Sequence, residues 1–137
     1  MIRRIALLLG LLLALALWPP TTQAQTPGVA CNLSKLYDNS TNGSTLLVTG
    51  RSNANIYICG YTFYAASTVN LKLVYGSDAT CGTGTTAITP AFQFTTQTGL
   101  VDPSPVFRGL FVPLGNNLCI NASAGNAAQA IVYYAFR

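Results

Sequence analysis

The side chains able to do acid–base or metal chemistry are few in this chain. Its carboxylates are Asp38, Asp78 and Asp102, and it has no Glu and no His. Without His, a Ser–His–Asp triad, a Cys–His pair and a His-ligated zinc or iron site are all excluded. A glycosidase needs two carboxyls roughly 5–9 Å apart across a cleft. Each Asp here instead stands near an expected turn, where the short carboxylate caps backbone N–H groups. Asp78 adjoins a Gly/Thr-rich stretch, but one carboxylate makes a poor calcium site. Lys35 and Lys72 are the bases that could serve a Ser–Lys pair, yet Lys72 falls on the polar face of an expected strand, where a solvated charge belongs. Arg51 and Arg108 are isolated, so the clustered cations of a nucleic-acid footprint are missing. Cys81-Gly82-Thr83-Gly84-Thr85 has Gly-x-Gly spacing. No Gly-Lys-Ser/Thr and no strand-to-helix context follow, so it reads as a loop and not a phosphate cradle. The expectation is a protein with no catalytic residues, no metal and no cofactor.

The four cysteines are Cys31, Cys59, Cys81 and Cys119. An even count with no Cys-x-x-Cys spacing argues for two disulfides in an oxidising compartment, and against a zinc knuckle or a redox motif. Four cysteines allow three pairings, and spacing does not select one. Cys31–Cys59 with Cys81–Cys119 is the pairing favoured here, because each bridge would tie a chain start or a loop to an expected strand.

Aromatics are the most informative class. Tyr57, Tyr61, Phe63, Tyr64, Tyr75, Phe107, Phe111, Tyr133, Tyr134 and Phe136 exceed what one small core face needs. Core packing with cross-strand pairs accounts for most of them. A Tyr/Phe-rich subunit interface is the next reading, and a platform for sugar rings the third. The candidate interface or ligand aromatics are Tyr57, Tyr61, Tyr64, Phe107, Tyr133 and Tyr134.

The elements that must position these residues begin after a targeting segment. Arg3 and Arg4 precede an apolar run from Ile5 to Trp18; Pro19 and Pro20 end it, and Thr22-Gln23-Ala24 places small residues at −3 and −1. This is the grammar of a secretory signal over residues 1–24, and the run is shorter than the ~20 residues that span a bilayer. Residues 25–137 then form one domain, near the small end of the usual range. Removing the signal's two Arg leaves five cations against three Asp, a net charge of +2. Four Asn-x-Ser/Thr sites, at Asn32, Asn39, Asn42 and Asn121, matter only in a eukaryotic secretory pathway.

Within that domain Val, Ile, Thr, Tyr and Phe recur in short runs punctuated by Gly, Asn, Pro and Ser, with no helical period. Eight strands are expected: Asn32–Asp38, Ser44–Gly50, Asn55–Ala65, Val69–Tyr75, Ala91–Thr96, Val106–Val112, Asn117–Ala122 and Gln129–Phe136. Asn42-Gly43, Gly115-Asn116 and Gly125-Asn126 supply turns that tolerate positive φ. Cys81–Thr89 reads as a loop, and Pro103 and Pro105 bracket another. Val69, Leu71, Leu73 and Tyr75 share one face of a half-buried strand. Asn55–Tyr64 is apolar on both faces, with Ile56 and Ile58 on one and Tyr57, Tyr61 and Phe63 on the other. Gln129–Phe136 is similarly two-faced. Both are therefore expected at the centre of a sheet or against another subunit. The fold class is all-β: an antiparallel sandwich, jelly-roll-like, with an immunoglobulin-like sandwich as the alternative.

From Ile56 onward the chain resembles a family of small, cysteine-containing, β-rich bacterial and prophage-associated proteins to which no activity is assigned. The resemblance is carried by Ile56-Tyr57-Ile58-Cys59-Gly60-Tyr61, Val74-Tyr75-Gly76, Cys81-Gly82-Thr83-Gly84-Thr85, Arg108-Gly109-Leu110, Leu118-Cys119-Ile120 and Val132-Tyr133-Tyr134. It implies a compact exported domain and no mechanism.

The sequence thus leads to a secreted or periplasmic, non-catalytic structural or adhesive module acting through self-association or surface contacts. A monomeric module for cell-surface carbohydrate is the alternative. The expected partners are a second copy or a glycan, with no nucleic acid and no membrane after signal cleavage.

Overall fold

The computed structural model describes residues 30–39, 42–95, 98–102, 109–123 and 128–137. The expected signal segment, Pro103, Pro105, Phe107, Arg108 and the Gly125-Asn126 turn lie outside them. The described residues contain ten strands and no helix: β1 (Leu33–Asn39), β2 (Gly43–Val48), β3 (Ile56–Ala65), β4 (Val69–Gly76), β5 (Thr86–Ala87), β6 (Phe92–Phe94), β7 (Thr98–Asp102), β8 (Phe111–Val112), β9 (Asn117–Ala122) and β10 (Ala128–Phe136).

The strands form two antiparallel sheets. The front sheet runs β1-β10-β3-β7 with β8 also on β3; the back sheet runs β2-β9-β4-β5 with β6 also on β4. The pairing is nested. First pairs with last, second with second-last, third with β7 and β8, fourth with β5 and β6. This is a long double hairpin rolled so that successive arms enter opposite sheets, which is jelly-roll winding. The immunoglobulin-like alternative distributes its strands differently between sheets. The count rises from eight to ten for two local reasons. The stretch read as a loop from Cys81 to Thr89 contributes β5, which pairs with Val74–Tyr75. The arm after β6 contributes β7, opposite Tyr61–Ala65, where no strand is expected from the sequence.

Alternation places one row of each sheet in the shared core. Phe63, Ile56, Ile58, Leu71, Leu73, Leu118, Ile120 and Val132 are fully buried, and truncating a side chain such as Phe63 to Ala costs about 3–5 kcal/mol. Tyr61, Phe63, Phe92 and Phe94 form an aromatic cluster there, Tyr61 and Phe63 with ring centroids 4.9 Å apart.

β3 departs from simple alternation. Tyr133 pairs with Gly60 and the next β10 residue, Tyr134, pairs with Ile58, so β3 carries an extra residue at Cys59. Such a bulge resets the phase of the strand. Ile56, Ile58, Tyr61 and Phe63 are consequently all buried on the core side. The expected division, with Tyr61 and Phe63 opposite the two Ile, is corrected by that single inserted residue.

Two disulfides are present, Cys31–Cys59 and Cys81–Cys119, with Cα separations of 6.1 and 6.2 Å. The first fixes the segment leading into β1 to the bulge of β3. The second fixes the 77–85 loop to the outer side of β9. Disulfides of this kind are typical of oxidising compartments.

Candidate functional site

The outer faces of the two sheets are built very differently. On the back sheet, Asn70, Lys72 and Val74 of β4 lie beside Asn121 and Cys119 of β9, which in turn lie beside Ser44 and Leu46 of β2. One end of this face is polar, and Asn121 Nδ2 donates to Ser44 Oγ at 2.9 Å. The other end is roofed. Val74, Cys81 and Cys119 are buried as a small second core with Leu46 against it. The 77–85 loop crosses so close that a Cβ on Gly76 would come within 2.8 Å of Cys81 Cα and of Thr83 O, so only glycine fits beneath it.

Asp78 organises this roof. Its Oδ1 accepts from Thr80 N at 2.9 Å, Thr80 Oγ1 at 3.0 Å and Gly82 N at 2.8 Å. Hydrogen bonding from Thr83 first, and then from the Gly82 and Thr80 backbone, pulls its carboxyl well below the usual carboxylate range. Asn117 adds a tie, donating Nδ2 to Asp78 O and accepting Gly50 N–H on Oδ1. The carboxylate is thus spent on its own loop, as the turn-capping reading requires.

The front sheet has no such roof among the described residues. Register places Leu36, Ile131, Thr62 and Val101 in one row across β1, β10, β3 and β7. Leu36 is 62% exposed and Val101 59%, the two highest values among the large apolar side chains left exposed. The next row toward one end contains Asp38, Gln129, Tyr64 and Gly99; toward the other end come Ser34, Tyr133 and Gly60. Tyr64 and Tyr133 are each 42% exposed. Beyond the bulge Tyr57 faces the same way and stacks on the exposed Phe111, with centroids 6.1 Å apart. A depression of about 100 Å³ opens on this face between Leu36, Thr62, Tyr64, Gln129 and Ile131.

The six aromatics singled out in the sequence therefore separate. Tyr64 and Tyr133 stand on the front face, and Tyr57 stands half-buried at its end. Tyr61 is buried in the core. Tyr134 packs against the core and meets Phe136 edge-on at 5.7 Å. Phe107 lies outside the described residues. The sequence reading missed the aliphatic members, Leu36, Ile131 and Val101. Their signal was the period-2 spacing of Gln129, Ile131 and Tyr133 on one side of β10, matched by a single Leu among polar outward residues of β1.

Among the described residues no second place gathers reactive groups. Asp38 on β1 and Asp78 on the far sheet's roof are held on opposite sides of the sandwich. No three His, Cys, Asp or Glu side chains cluster as metal ligands among the described residues. A cleft of about 360 Å³ opens where β6 and β7 part, lined by Phe92, Gln93, Phe94, Thr95, Thr98, Gly99 and Leu100, none of them ionisable.

No family model matches the chain, and no curated protein matches it. Among solved structures, a chain of the T13 IBDV viral particle is similar at 13% identity with a TM-score of 0.31. The match covers 72% of this chain and 31% of that one, so the present chain spans about a third of its length. A likeness that low carries no property across.

Proposed function

We propose that the protein is a non-catalytic structural or adhesive module, exported to an oxidising compartment, that associates through the outer face of its front sheet with a second copy of itself. The observation that carries this is the asymmetry of the sandwich. One outer face is polar or strapped down by a disulfide-anchored loop, while the other, among the described residues, leaves Leu36, Val101, Tyr64 and Tyr133 exposed around a half-buried Ile131. A contiguous exposed apolar patch on a small domain marks an interaction surface. This one mixes aliphatic and Tyr side chains with little charge, as the centre of a protein–protein interface does. The signal-like N-terminus, the two disulfides and the resemblance to small exported bacterial proteins support the compartment. The scarcity of general bases supports the absence of catalysis.

The test is the solution mass of the exported, oxidised protein over a range of concentrations. A concentration-dependent dimer or larger assembly that Ile131→Lys dissociates is the expected result. A monomer at all concentrations overturns the reading. One feature favours a second reading, glycan binding. Tyr64, Tyr133 and Tyr57 with Phe111 follow one another along β3 and β10, Tyr64 and Tyr133 being four residues, or about 13 Å, apart. A monomer whose binding to a polysaccharide is lost in Tyr133→Ala would establish that alternative.

A further inference from the structure

We infer that two copies join edge to edge through β1, antiparallel about a two-fold axis at Leu36, so that their front sheets become one. This rests on the self-association reading above and moves its contact to the β1 edge of the front sheet, from which the outward row runs on into the second copy.

β1 is an edge strand: its ladder partner is β10, and among the described residues no strand pairs with its other side. An edge with unpaired N–H and C=O groups is a template for another strand. Natural edges are blunted with charge, Pro or bulges. β1 has neither Pro nor a bulge, and it pairs with β10 in unbroken register over all seven residues. It carries two charges of opposite sign, Lys35 on the core-facing side opposite Val132 and Asp38 on the outer side.

Symmetry restricts how this edge can meet itself. Opposed residues in an antiparallel pair share a face, so outward residues 34, 36 and 38 must oppose one another. An axis at Leu36 sets Leu36 against Leu36 of the second copy and Ser34 against its Asp38, a hydroxyl that can donate to a carboxylate. An axis at Lys35 sets two Lys side chains opposite each other, and an axis at Asp38 does the same with two carboxylates; like charges directly opposed are destabilising. An axis at Tyr37 sets Leu36 against Asp38 twice. On the outward side the Leu36 axis joins apolar to apolar and polar to polar; on the core-facing side it sets Lys35 against Tyr37 of the second copy. It also makes the outward row continuous: Val101, Thr62, Ile131 and Leu36 of one copy meet Leu36, Ile131, Thr62 and Val101 of the other. Both copies supply the same surface, so the contact closes at a dimer.

Leu36 is already solvent-facing, so charge there leaves the fold intact. Leu36→Lys and Leu36→Asp should each be monomeric, and an equimolar mixture of the two should restore the dimer. In the unmodified protein, amides of β1 that point away from β10 should exchange roughly ten-fold or more slowly as concentration passes through the dimer range. Val101→Lys, on the same face but the opposite edge, should leave the dimer in place. A dimer whose β1 amides exchange at the same rate at all concentrations, and which Val101→Lys dissociates, overturns the edge-to-edge contact while leaving face-mediated association standing. A protein that is monomeric throughout overturns both.

Discussion

Asn117 donates its side-chain amide to the backbone carbonyl of Asp78 at 2.8 Å, and through its Oδ1 it accepts Gly50 N–H at the same distance. One side chain at the start of β9 thereby fastens the loop after β4 and the segment after β2. Its backbone carbonyl also lies 3.3 Å from Cys81 Sγ. The back sheet is closed at this end by a hydrogen-bonded roof and a buried disulfide, and that closure leaves the front face as the more exposed apolar outer surface among the described residues.

Asn117→Leu should lower stability without touching association. It strands Gly50 N–H and the Asp78 carbonyl, and an unmet polar group in a partly buried site costs about 1–3 kcal/mol. Thermal unfolding should show a Tm several degrees lower, while light scattering gives the unmodified protein's mass. A loss of association in this variant would mean that the roof, and not the front face, makes the contact.

The two bridges should reduce in a fixed order. They close loops of 28 and 38 residues, so the chain-entropy contribution is about 3.5–4 kcal/mol for either and does not rank them. Access does. Cys81 and Cys119 are both completely buried, whereas Cys31 is half-buried in the segment before β1. Under a mild reductant, alkylation followed by mass spectrometry should label Cys31 and Cys59 first. Simultaneous labelling of all four would mean that reduction proceeds through global unfolding.

The roof should respond to acid, and only to strong acid. Hydrogen bonds from Thr83, Gly82 and Thr80 hold the folded Asp78 carboxyl below its unfolded value. A depressed pKa stabilises the fold above the unfolded value, near pH 3.9, and that contribution is lost as pH falls through the folded one. Exchange of the Thr80 and Gly82 amides should therefore be flat from neutral pH to about pH 4 after correction for intrinsic rates, and accelerate below it. Asp78→Asn should abolish this acid-dependent change. An unchanged profile in Asp78→Asn would show that another group governs the loop.

The sequence carried the fold further than the site. Alternation in Val69–Tyr75 and the turn residues at Gly43 and Gly115, both with positive φ, located strands and hairpins because these signals are local. What failed was non-local or depended on phase. The two-residue strand β5 exists because Val74 and Tyr75 offer a free edge, and nothing in Thr86-Ala87 announces it. Tyr61 read as an outward aromatic because strict alternation was carried through Cys59, where the bulge adds one residue. Leu36 is one Leu in a mostly polar stretch and carries no signal of its own until register sets it beside Ile131 on the outer side. A one-residue change in phase moves every later side chain to the other face, so residue type alone could not separate core aromatics from displayed ones.

Thr89 gives the sharpest test of how the back sheet ends. It is a polar residue buried to 4% exposure, and its Oγ1 accepts the Leu73 N–H at 3.0 Å. Beside it, Ile88 N–H donates to the Leu73 carbonyl at 2.9 Å. A loop side chain therefore completes the hydrogen bonding of β4 between the stretches paired with β5 and β6. Thr89→Val keeps the shape and removes the acceptor, leaving a buried N–H unmet at a cost of about 1–3 kcal/mol. Thr89→Ser keeps the acceptor and gives up one methyl, roughly 1 kcal/mol. In urea, Thr89→Val should shift the unfolding midpoint well below that of Thr89→Ser with an unchanged slope. Equal midpoints would mean that water replaces the hydroxyl, and that this end of the sheet is open to solvent.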